Sequence, residues 1–148
     1  MRDTSTGKKF RDELEAYIIS WGEEIEILRE KPVGWRFVDR ARKLDLILRR
    51  GDKYLGIEAK CQSGPGGTAD QKLIYSLEDA KSSPIPTLVV FTGPITADIK
   101  AKLITSGLGL EVEYLPENLP GQRIRDPHDL FRQRVCIELG LDWFKLFR

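Results

Sequence analysis

Phe10, Leu14, Tyr17, Ile18 and Trp21 recur at the spacing of one helical face, between Thr6 and Gly22. That period predicts an amphipathic helix, with Thr6 as its N-cap and Gly22 as its stop. Glu24 to Leu28 instead alternates charge with Ile25 and Ile27, the mark of a strand, which Lys31-Pro32 and Gly34 are expected to break. Two further strands follow over Leu44–Arg50 and Tyr54–Gln62, joined by the turn residues Gly51-Asp52. Ser63 to Gly67 is rich in glycine and predicts a loop. Asp70 to Lys81 then has Leu73, Leu77 and Ala80 on one helical side.

Thr87 to Thr92 is apolar throughout its middle, as a strand covered on both faces would be. A helix is expected from about Thr96 to Ser106, with Ile99 and Leu103 inward and Gly107 ending it. Leu110, Val112 and Tyr114 alternate with glutamates to give a fifth strand, and Pro116 to Arg125 reads as loop. A last helix begins near Asp126-Pro127 and buries Leu130, Phe131 and Val135. The order α-β-β-β-α-β-α-β-α implies a mixed central sheet flanked by helices.

The length of 148 residues suits a single domain spanning 1–148. With 41% hydrophobic and 32% charged residues the chain reads as an ordinary folded one. No apolar run is long enough for a membrane span, and Met1 to Lys9 lacks the apolar core of a secretory signal, so a cytoplasmic protein without a membrane partner is expected. Cys61 and Cys136 sit in apolar surroundings and read as small buried hydrophobes. His128 is the sole histidine, which argues against HNH-type, histidine-metal and Ser-His-Asp chemistry. Net charge is only +1, yet Arg36, Arg40, Arg42, Lys43, Arg49 and Arg50 crowd one stretch. A local basic run on a neutral protein suits a directed polyanion contact, although a solvated surface would look the same.

The third strand carries the chemistry. Side chains alternate along a strand, so Leu55, Ile57, Ala59 and Cys61 share one face while Glu58, Lys60 and Gln62 share the other. Asp45 opens the preceding strand, which the turn brings alongside. Two converging carboxylates repel, and a hard cation between them relieves the repulsion. A nearby ammonium can orient or deprotonate a water, or stabilise a pentavalent phosphate. Taken alone, Glu58 and Lys60 also fit an exposed pair on an edge strand.

Asp45, twelve intervening residues and then Glu58-Ala59-Lys60, on a hairpin that follows a helix, resembles the PD-(D/E)XK nuclease superfamily. The family's restriction-endonuclease-like αβββαβ core matches Thr6 to about Thr92, with Leu44 where the family name has proline. The resemblance implies that Asp45, Glu58 and the Ala59 carbonyl bind Mg²⁺, with Mn²⁺ as a substitute, and that Lys60 is the catalytic lysine. Gln62 recurs in restriction-like members and would join the catalytic set. Many members also carry an acid on the first helix; the expected position holds Arg11, and Glu15 one turn later is the candidate for that role.

Thr68 and Lys72, behind the glycine loop, resemble a segment of restriction-type nucleases and would contact DNA together with Arg36, Arg40, Arg42 and Lys43. Gln71 and Tyr75 have the QxxxY spacing of exonuclease-like branches. The function implied is a Mg²⁺-dependent restriction-like endodeoxyribonuclease. Cutting both strands with one site per chain would favour a homodimer, and the crowd of Leu141, Trp143, Phe144, Leu146 and Phe147 could serve either its contact or the core. A structure-specific repair nuclease of junction-resolvase type uses the same core. So would a catalytically silent DNA-binding module, which would have no need to keep Asp45, Glu58 and Lys60 together.

Overall fold

The computed structural model describes residues 5–36, 40–62 and 67–142, without the side chains of 5–6, 32–42 and 67–69. The first helix, α1 (Ser5–Ile19), buries Phe10, Leu14 and Ile18 and ends in a turn at Gly22, whose φ of 69° suits glycine. Thr6 lies inside this helix rather than capping it, because the helix begins one residue earlier.

A five-stranded sheet forms the centre. Its strands are β1 (Glu26–Arg29), β4 (Leu46–Arg50), β5 (Lys53–Cys61), β6 (Thr87–Thr92) and β7 (Gly109–Glu111), in the spatial order β1-β4-β5-β6-β7. The first two pairings are antiparallel and the last two parallel, because the helix α2 (Gly67–Lys81) carries the chain from β5 over to β6. The chain thus has the mixed α/β, restriction-endonuclease-like architecture that its element order implies.

Strand β6 is buried along its whole length. Its Leu88 and Val90 join Phe10, Leu14, Leu55, Ile57 and Phe131 in one core, while Val89 and Phe91 join Leu73, Leu77, Ile99 and Leu103 in another. The first core lies under α1 and α4 (Leu130–Leu139), the second under α2 and α3 (Ala97–Thr105). Asp126 starts α4 by accepting the N–H groups of Phe131 and Arg132 at 2.9 Å each. The Tyr17 hydroxyl donates to the same carboxylate at 3.1 Å and ties α4 to α1. Leu130, expected in the buried stripe of α4, is 51% exposed.

Three stretches depart from the periodicity. The chain does not break at Pro32 but continues through β2 (Pro32–Arg36) and returns by β3 (Arg40–Lys43), an antiparallel pair of its own. Proline is tolerated at such strand openings because no ladder partner needs its missing N–H. The expected fifth strand divides at buried Val112: Gly109–Glu111 pairs with β6, while β8 (Glu113–Tyr114) turns off to pair with β9 (Ile124–Arg125), inside the expected loop. Helix α2 begins at Gly67, three residues earlier than Asp70, which lies in its first turn and accepts the Thr96 hydroxyl at 2.8 Å. Residues 63–66 of the predicted glycine loop lie outside the described residues.

Cys136 is buried as expected, whereas Cys61 is only half-buried, and neither is in a disulfide. Leu141 packs into the first core, and Trp143, Phe144, Leu146 and Phe147 lie outside the described residues. No helix among the described residues is long and apolar enough to cross a membrane.

Leu14 is fully buried between α1 and the sheet. Leu14→Ala should therefore cost about 2–5 kcal/mol of unfolding free energy in a denaturant titration. A loss below 1 kcal/mol would mean that the α1 core is not packed as described.

Candidate active site

Strand β5 outruns its neighbour. The β4–β5 ladder ends with Leu46 opposite Ile57, whereas the β5–β6 ladder continues to Cys61 opposite Thr92. Glu58 to Cys61 therefore keep β6 on one side and lose β4 on the other, which opens a notch. The cause is a change of partner at Asp45. Its carbonyl accepts the Glu30 N–H at 3.2 Å, and Leu44 donates its own N–H to the Lys31 carbonyl at 3.4 Å, so this segment follows the first strand away from β5.

The amide orphaned by that divergence is Ala59 N–H, and the Asp45 carboxylate accepts it at 2.7 Å. Gly56 and Gln62 donate their N–H groups toward β6, to Pro86 and Thr92. The odd-numbered Ala59 consequently presents its amide to the notch. A residue's N–H and C=O leave an extended strand on the same edge, so the Ala59 carbonyl opens there too.

Glu58 and Lys60 project from the face of β5 opposite Leu55, Ile57 and Ala59, the alternation expected of them. Glu58 is buried, with 9% of its side chain exposed, and the Lys60 ammonium lies 3.9 Å from its Oε2. Burial pushes the Asp45 carboxyl above its ordinary value; the Ala59 N–H, Lys60 and Arg11 oppose that shift, and Glu30 adds to it. Gln62 follows the strand end, half-buried, with its carbonyl against Gly93. Gly93 has φ +94°, and a Cβ there would stand 2.0 Å from the Gln62 carbonyl oxygen, so only glycine allows this approach.

Other residues proposed from the sequence fall around this centre in different ways. Glu15 is held by Arg29, through a 3.0 Å contact from Nε and a second from Nη2. The α1 residue whose charge reaches Asp45 is Arg11, which binds Glu30 at 2.6 Å and Asp12 at 3.2 Å. Glu30 itself was not among the expected site residues, and its φ of 51° marks the bend at which the first strand passes into the second. Lys43 is exposed, and Arg36, Arg40 and Arg42 lie on the β2–β3 pair with side chains outside the described residues. Thr68 belongs to the first turn of α2, its side chain likewise outside the described residues.

Lys72 is half-buried on α2, and Gln71 and Tyr75 are exposed there. Arg123 donates to the carboxylate of buried Glu13 at 3.2 Å and to the Asn118 carbonyl at 2.9 Å. Arg125 pairs with Glu113 across β8 and β9 at 3.5 Å. A cavity of about 480 Å³ lined by Glu24, Ile25, Glu26, Arg49, Arg50 and Gly51 sits at the far end of β4 and contains none of these groups.

The chain matches a family model over residues 4–97, described as a PD-(D/E)XK nuclease superfamily domain. The chain belongs to the PD-(D/E)XK nuclease superfamily. The matched span contains α1, the notch and the strands around it. Among solved structures, the chain is similar to one titled "Crystal Structure of Protein of Unknown Function AF1548", at 12% identity and a TM-score of 0.48, over 94% of this chain and 74% of that one. No curated protein matches the sequence.

The donors at the notch are oxygens. Two carboxylates and a backbone carbonyl suit a hard cation such as Mg²⁺ that keeps several waters. Burial pushes the Cys61 thiol above its ordinary value. Among the described residues no three His, Cys, Asp or Glu side chains gather as a cluster that could hold a metal ion.

The sign of the Asp45 shift yields a test. A carboxyl raised above its usual 3.8 penalises the folded state once it ionises, so the penalty is absent below that value and complete above the raised one. Without metal, Asp45→Asn should melt higher than wild type at pH 7, and the gap should close on acidification below pH 3.8. Added Mg²⁺ or Mn²⁺ should raise the melting temperature of wild type and leave that of the variant unchanged. A variant that melts lower and still responds to the cation would contradict the arrangement.

Proposed function

We propose that this chain is a Mg²⁺-dependent endodeoxyribonuclease that hydrolyses DNA phosphodiester bonds in the manner of restriction enzymes. The observation that carries the reading is the notch itself: the Asp45 carboxylate on the Ala59 amide at 2.7 Å, beside buried Glu58 with Lys60 at 3.9 Å. Asp45, Glu58 and the Ala59 carbonyl would hold the cation, with Mn²⁺ able to substitute. When bound, the metal supplies Lewis-acid stabilisation of the attacked phosphate and of the attacking water.

The chain's own groups do the rest. Lys60 sets a positive charge where the phosphate gains negative charge and orients the water against it. Gln62 holds that water or a phosphate oxygen. Lys43 and Lys72, with Thr68 and the arginines 36, 40 and 42, provide the phosphate contacts that align the duplex.

Incubation of the protein with supercoiled, linear and four-way-junction DNA tests this reading. Cleavage should require Mg²⁺ or Mn²⁺, stop with chelator and not return with Zn²⁺. Cutting that persists in excess chelator would remove the assignment, and cutting confined to the junction would favour a resolvase. Lys60→Ala should lower turnover by on the order of 10²-fold or more, while duplex affinity measured in Ca²⁺ changes little. An affinity that falls in step with the rate would make Lys60 a binding residue instead.

A homodimer is proposed because one notch per chain must act twice to sever both strands. Leu130 and Ile137, each about half exposed and seven residues apart on α4, support a contact on that helix. Sedimentation at micromolar concentration should give a dimer with or without DNA, and a strict monomer in both conditions would eliminate it.

A further inference from the structure

β1 and β4 do not end where the sheet ends. Their pairing is carried on from Arg29 opposite Leu46, through a bend at Glu30 that is held by the Glu30–Asp45 and Lys31–Leu44 backbone bonds, to Pro32 opposite Lys43. The register shifts beyond Pro32, and then continues with Trp35 opposite Ala41 and Arg36 opposite Arg40. One long ribbon therefore has its base inside the five-stranded sheet, and its outer half, β2 and β3, forms a two-stranded sheet of its own among the described residues. At about 3.3 Å per residue, the five residues of β2 extend it by roughly 15 Å.

Two features of this outer half point to a polyanion. From Lys31 to Lys43 it carries five basic residues against one acid, Asp39. Its last described pair sets Arg36 directly across from Arg40. An isolated two-stranded ribbon is marginal by itself, so a basic one gains most when a polyanion lies against it. The ribbon also leaves the sheet at Lys43-Leu44-Asp45, which makes it continuous with the candidate active site.

We propose that β2 and β3 form a recognition arm that enters the major groove of duplex DNA and sets the register of the cleaved phosphate at the notch. The proposal rests on the DNA-cleaving reading above. A two-stranded ribbon fits a groove about 12 Å wide, where base pairs present distinct edges. The arm then does more than attract phosphates: it is the element of this chain through which sequence is read.

The double substitution Arg36→Thr with Arg40→Thr tests it, because it removes the opposed charges and leaves a cross-strand threonine pair that suits a ribbon. Its melting temperature should equal or exceed that of wild type. Binding, measured in Ca²⁺, should weaken on duplex DNA, with the salt slope flatter by roughly one to two units, and weaken less on a single strand of the same sequence. A duplex whose major groove is filled by glucosylated 5-hydroxymethylcytosine should bind wild type more weakly than the unmodified duplex, and the variant should distinguish the two less.

Equal losses on duplex and single strand would make the arm a non-specific phosphate contact and overturn the groove assignment. So would wild-type affinity that is indifferent to the filled groove. If wild type cuts duplex with Mg²⁺ and the variant binds as wild type does, the arm inference alone fails. If wild type neither binds nor cuts DNA, the functional reading fails and takes the arm with it.

Discussion

A backbone amide that loses its ladder partner must find another acceptor, and in this chain that need shapes the candidate site. Ala59 would continue an ordinary antiparallel ladder if β4 ran on beside β5. Instead the segment around Asp45 bonds to Glu30 and Lys31, and the Asp45 side chain closes the gap with a 2.7 Å hydrogen bond. The same change of partner has three results. It brings the Asp45 carboxylate onto the Ala59 amide, leaves the notch open on the Ala59 side, and releases the strand pair that continues outward as β2 and β3. Losing the hydrogen bond would expose the amide and let the carboxylate drift from its partner, so geometry and chemistry are joined in one contact.

The electrostatics of the notch are held in tension. Asp45 is burdened by burial and by Glu30, and relieved by the Ala59 amide, Lys60 and Arg11. Arg11 is in turn held by Glu30 and Asp12, so the helix α1 contributes a clamped positive charge where many superfamily members place an acid. On the proposed reading, the two carboxylates would hold a divalent ion while Lys60 and Arg11 favour a phosphate beside it.

Much of this was legible in the sequence where the physical signal is local. The 3.6-residue period of Phe10, Leu14 and Ile18, the apolar run of β6 and the alternation of Leu55, Ile57 and Ala59 against Glu58 and Lys60 all describe one element facing one core. What escaped depends on contacts between distant segments. Pro32 and Gly34 resemble breakers until Lys43 is known to lie opposite Pro32. The two-residue strands β8 and β9 are too short for any period. Arg11 meets Glu30 across 19 residues of sequence, and Glu15 is taken by Arg29 from 14 residues away, pairings that no spacing within either element announces.

The central claim is that Asp45, Glu58 and the Ala59 carbonyl form one divalent-cation site. Electron paramagnetic resonance of Mn²⁺ titrated into the protein measures this directly, since bound and free ions give different signals. The account predicts saturable binding to wild type and a large loss of that binding in Glu58→Gln, with the fold retained. Equal Mn²⁺ binding by wild type and Glu58→Gln would contradict it.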